Sequence, residues 1–159
     1  MGSPINRRII VNEHVETATL NDLIEVLNDG KDFYEEASKH VHPDLAAVFQ
    51  RMARTKAAIA ADLSGMVVSR GEQPSDSGSF SGSIRKMYAE LRTSIAQNEE
   101  TAYIVQLEEF EDRILHAFQD AVEKSDDVGV REISRRYLPE VTRDHNDMRA
   151  MKKIKQGKD

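Results

Sequence analysis

The chain has 159 residues, of which 39% are apolar and 31% charged, enough for one domain with a single core. Its net charge of -6 argues against a nucleic-acid partner, and the lack of cysteine removes disulfides, thiol catalysis and thiolate metal sites. No segment approaches the ~20 apolar residues of a membrane span, and the opening MGSPINRRIIVNEH lacks the apolar run of a signal peptide. A soluble, cytoplasmic protein without membrane contacts is the expectation.

Residues 1–18 read as an N-terminal tail and 19–155 as one helical domain, with 156–159 a short C-terminal tail. From Thr19 to His40 the residues Leu20, Leu23, Ile24, Leu27, Tyr34 and Ala37 recur at three- and four-residue steps, the mark of one helix face. Thr19 is the expected N-cap. HVHPD then breaks the chain, with Pro43 suited to the first turn of a second helix. That helix runs to about Ser69 on Leu45, Val48, Phe49, Met52, Ile59, Leu63 and Met66. So short a break predicts a helical hairpin.

SRGEQPSDSGSFSGS opens a long connection, 70–97, in which Ile84, Met87, Tyr88, Leu91 and Ile95 mark an extra short helix. Asn98 is the expected cap of a third long helix, to about Lys124, and KSDDVG leads into a fourth, to about Lys155. A helix of ~26 residues is about 39 Å long at about 1.5 Å per residue. The long connection can span that distance, so the second hairpin can be joined by a crossover along the bundle. The expected fold is all-α.

The third helix raises the chemical question. Ile104, Glu108, Glu111, Leu115, Phe118 and Val122 form one stripe, so two glutamates interrupt an apolar seam. Asp112 flanks the same side. Buried carboxylates do not stay ionised without a cation or several donors. Three readings are open: rim positions touching Lys or Arg, a buried ion pair or network, or metal ligation through Glu108, Glu111, Asp112 and His145. On the second helix the apolar stripe is broken once, by Lys56, which makes Lys56, Glu108 and Glu111 a candidate buried charge network. An aliphatic stem packed inside with its ammonium reaching water is the plain alternative for Lys56. On the fourth helix Leu138, Val141, His145 and Met148 share a face, with Asp144 adjoining. His116 stands four residues after Asp112, a spacing that also serves an ordinary surface pair. His40 and His42 sit at a helix end and read as capping residues.

Two hairpins joined by a long crossover, with inward carboxylates, resemble the ferritin-like antiparallel four-helix bundles. LNDLIEVLNDGKDFYEEA (20–37), RMARTKAAIAADL (51–63), GEQPSDSGSFSGSIRKMYAELRTSI (71–95), EEFEDRILHAF (108–118) and TRDHNDMRAM (142–151) are similar to a family of uncharacterised, mainly proteobacterial, ferritin-like proteins. The metal-binding members of the wider superfamily place one Glu on each of two helices and Glu-x-x-His on each of the other two. Aligned to that pattern, Leu27 stands at the first Glu, and Lys56 and Ile59 stand at the second helix's Glu and His. Glu111 is kept, His145 is kept, and Thr142 replaces the Glu before it. Two of six ligands survive, and a lysine holds the place of a third.

Three functional classes follow. One is a non-enzymatic bundle, a homodimer or a module for an unknown protein partner, structural or stress-associated, with no cofactor. The second is an iron- or manganese-binding protein acting on oxygen or peroxide through Glu108, Glu111, Asp112 and His145. The third is a small-molecule carrier using the interior or a groove near Phe80, Met87, Tyr88 and Tyr103. No nucleotide loop or nucleophile constellation supports an enzyme, so the first class is preferred.

Overall fold

The computed structural model describes residues 4–75, 89 and 99–157, with side chains from Thr17 onward. Among them are four long helices and no strand: α1 (Pro4–Ala37), α2 (Pro43–Ser69), α3 (Glu99–Lys124) and α4 (Val128–Lys155). The expected Asn98 cap and the extra short helix of the 70–97 connection lie outside the described residues.

The largest departure from the sequence reading is the start of α1. The helix begins at Pro4, not Thr19, so Thr19 is an interior residue rather than an N-cap, and residues 4–18 are helical. The physical reason is continuity: no Pro or Gly stands between Pro4 and Gly30, and Pro4 occupies a first-turn position where its missing N–H costs nothing. The helix also ends at Ala37, short of His40. There the Ser38, Lys39 and His40 amides turn back onto the carbonyls of Tyr34, Glu36 and Ala37.

Each apolar stripe faces inward. Leu20, Leu23, Ile24, Leu27, Tyr34 and Ala37 of α1 are buried, as are Phe49, Met52, Ile59 and Leu63 of α2 and Ile104, Leu107, Phe110, Ile114 and Phe118 of α3. Burying each large apolar side chain contributes about 1.5–3 kcal/mol, so these stripes supply most of the drive to pack. α1 packs mainly on α2, and α3 on α4, while α1 also lies against α3. Phe33 sits at that last seam, its ring centroid 5.9 Å from Phe110 and 6.1 Å from Tyr103.

Polar contacts fix the ends. Near the α1–α2 turn, the His42 N–H donates to Glu100 Oε1 at 2.6 Å, and His40 approaches Glu99 at 3.3 Å. His40 thus acts in side-chain pairing, and the His42 side chain makes no capping bond. At the opposite end, Asn21 accepts from the Ser75 N–H at 2.8 Å and donates to the Gln73 carbonyl at 3.3 Å. α2 therefore ends, and α3 begins, at opposite ends of the bundle. Gly71, at a φ of 77°, makes the left-handed turn that closes α2.

The start of α4 is built on Asp127. Its side chain accepts from the Val130 N–H at 3.1 Å, an N-cap bond, and receives Arg70, the C-cap residue of α2, through two contacts at 2.8 and 2.9 Å. The Arg70 guanidinium, first, holds the Asp127 carboxyl below its ordinary 3.8. A lowered folded-state value means the stabilisation is present above the unfolded value and is lost as pH falls below it. Asp127→Ala should cost about 1–2 kcal/mol in urea unfolding, the range of a lost cap. Asp127→Asn, which keeps the cap and loses the charge pair, should leave a smaller deficit at pH 7 that narrows as pH drops below about 4.

Candidate functional site

The centre of the bundle carries charge. Lys56 interrupts the α2 stripe and is 2% exposed; Glu111 interrupts the α3 stripe and is fully buried. Their head groups meet as a direct ion pair, Lys56 Nζ against Glu111 Oε1. Lys56 Nζ also reaches Asp144 Oδ2 of α4 at 3.4 Å and lies 4.7 Å from the centroid of the Tyr34 ring, a cation–π contact. Tyr34 of α1 donates its hydroxyl to the same Glu111 Oε1 at 2.7 Å. All four helices thus meet at one ammonium.

Room for the lysine comes from α1. A Cβ built at Gly30 would lie 3.3 Å from Lys56 Cδ, 3.4 Å from its Cε and 3.1 Å from Ile114 Cδ1. Glycine inside a helix costs about 1 kcal/mol relative to alanine. Here that cost provides the slot through which the lysine stem reaches the centre.

The environment sets the protonation states. Burial pushes the Glu111 carboxyl above its ordinary 4.5, against the downward pull of the Lys56 ammonium and the Tyr34 hydroxyl. The Tyr34 phenol is held well above its usual value, by burial first and then by Glu111 beside it, so it stays a donor. Glu111 Oε2 is buried and has no hydrogen-bond partner among the described residues.

The other residues singled out in the sequence separate from this centre. Glu108 points to the rim, where Lys152 meets it at 3.1 Å. Asp112 receives His145 Nε2 at 3.3 Å and lies 3.5 Å from His116 Nδ1. Glu111, Glu108 and the Asp112–His145 pair thus face three different partners. Among the described residues, no three His, Asp or Glu side chains gather where one metal ion could be held.

Tyr34, Asp144 and Gly30 complete the cluster in ways the sequence reading did not assign. The periodicity puts Tyr34 in the core stripe without showing its hydrogen bond, and puts Asp144 only beside His145. Gly30 carried a usable signal: an isolated glycine in the interior of a long helical pattern marks close approach by a neighbour.

The fold and centre define a class: an all-helical bundle with a buried lysine–carboxylate–tyrosine cluster. Residues 15–124 match the family described as "Domain of unknown function (DUF2383)", and the chain belongs to that family. No curated protein matches it. Tyr34, Lys56 and Glu111 fall within the matched segment, whereas Asp144 falls outside it.

Lys56→Met should destabilise the protein by about 3–5 kcal/mol, because one charge of a buried pair is left alone; a loss below about 1 kcal/mol would refute the buried-pair account. Replacing both partners, as in Lys56→Met with Glu111→Leu, should cost less than the single change. Without Lys56, the Glu111 carboxyl rises further above 4.5 in the folded state. A raised value gives stability that is present below the unfolded value and lost as pH climbs through the folded one. The deficit of Lys56→Met should therefore be smallest near pH 4 and grow toward neutrality. Gly30→Val should cost about 1–3 kcal/mol by overpacking the lysine slot. Denaturant unfolding between pH 4 and 8 checks all three variants.

Proposed function

We propose that the protein is a non-enzymatic, ferritin-like antiparallel bundle, two hairpins joined by a crossover. In this reading it serves as a structural, stress-associated or partner-binding module and acts as a homodimer. The single observation that carries the reading is the Lys56 ammonium seated against Glu111 at the meeting point of all four helices. A di-metal centre needs about four carboxylates to balance two divalent cations. Here a side-chain cation supplies positive charge at that place, and a second cation beside it would be repelled at close range in a poorly solvated interior. The opposite-end placement of the α2 terminus and the α3 start supports the crossover.

Elemental analysis tests the reading. Protein purified without chelator, from cells supplied with iron and manganese, should carry far less than one metal per chain, and chelator should leave its unfolding midpoint unchanged. Near-stoichiometric iron or manganese that disappears in Glu111→Ala would overturn it in favour of the metal-binding alternative, with oxygen or peroxide as the substrate to assay. Sedimentation across a concentration series tests the homodimer.

A further inference from the structure

A cleft of about 430 Å³ opens between α3 and α4, on the rim rather than in the core. Its size falls in the range of small-molecule sites. Its walls are largely polar, and several of those groups are already paired: Lys152 with Glu108 at 3.1 Å, and His145 with Asp112 at 3.3 Å. His145 is also 6% exposed, so it sits well below the surface. What remains on the α4 wall is Arg149 and Lys153, four residues apart on one face and both exposed. No acidic side chain among the described residues forms an ion pair with either.

Two like charges at this spacing repel one another by a few tenths of a kcal/mol, and a matched anion removes the repulsion. The negative end of the α4 dipole accounts for lysines in the last turn, Lys152, Lys153 and Lys155. It does not account for Arg149, which stands before that turn, or for the cleft beneath it. A guanidinium fork beside an ammonium suits a dianionic oxyanion, with the fork giving two parallel donors and the lysine a point charge. Across the cleft, Glu109 has no cationic partner among the described residues and can accept from a ligand hydroxyl.

We propose that the α3–α4 cleft binds a small hydroxylated phosphate monoester, its phosphate on Arg149 and Lys153 and a hydroxyl on Glu109. The site does not rest on the buried Lys56 cluster, although Glu108, Asp112 and His145, candidate ligands of the metal-binding alternative, line the same cleft, so the titrations use chelator-treated protein. Calorimetric titration of the full chain with glucose 6-phosphate and with inorganic phosphate, each at ionic strength matched with sodium chloride, tests the proposal. Wild-type protein should bind both saturably, and Arg149→Gln with Lys153→Gln should weaken binding roughly tenfold or more, as expected for loss of two charge-assisted contacts. Lys124→Gln, at an exposed ion pair with Asp120 at the C-terminal end of α3, should bind as wild type does. Glu109→Leu, which removes the acceptor, should erase any preference for the sugar phosphate over inorganic phosphate. No saturable binding by the wild type, or equal binding by the Arg149/Lys153 double variant, would overturn the site. A sugar-phosphate preference that survives Glu109→Leu would overturn the assignment of its ligand.

Discussion

Everything central to this bundle depends on moving one ammonium out of water. Desolvating a lysine costs several kcal/mol, and burying Glu111 adds a comparable cost. The protein meets that cost with four separate arrangements around Lys56 Nζ: a carboxylate in contact, a second one at 3.4 Å, an aromatic face at 4.7 Å, and a glycine slot for the stem. Each comes from a different helix or a different residue of one. None would be needed if position 56 were leucine. The arrangement therefore spends packing freedom on polar matching, and apolar burial elsewhere in the core must carry the net stability.

That expense has a geometric return. Leucines on one helix can slide by a turn against leucines on another and still find apolar neighbours. An ammonium that meets Glu111, Asp144 and Tyr34 in one arrangement has no second place to go. A slip of one turn, about 5.4 Å, would strand charge in hydrocarbon. The cluster thus fixes the alignment of α1, α2, α3 and α4 more sharply than apolar stripes can. Buried polar groups are best attested in this role of setting register.

Much of this was legible in the residues, and the limits have identifiable causes. The apolar stripes located the buried faces of α1, α2 and α3, because a period near 3.6 residues is a direct projection of burial. The same stripes drew attention to Lys56 and Glu111 as interruptions. Whether an interruption lies inside or at the rim depends on helix rotation, and a few tens of degrees separate the buried Glu111 from Glu108, which stays near the surface with Lys152. A one-dimensional pattern does not resolve that angle. The start of α1 is less legible for a different reason: the clear apolar stripe begins at Leu20, whereas the helix persists back to Pro4 because nothing in RRIIVNEHVETA interrupts it. Asp144 was noted only as a neighbour of His145, since its partner lies on a helix distant in sequence.

Asp127 joins two tasks in one carboxylate. It closes the first turn of α4 by accepting from Val130, and it grips the terminal arginine of α2. Fraying at the beginning of one helix and release at the end of another are therefore a single event. Such shared groups convert what would be independent local openings into a cooperative unit. Amide hydrogens in the first turn of α4 and the last turn of α2 should therefore exchange together, although 57 positions separate Arg70 from Asp127 along the chain.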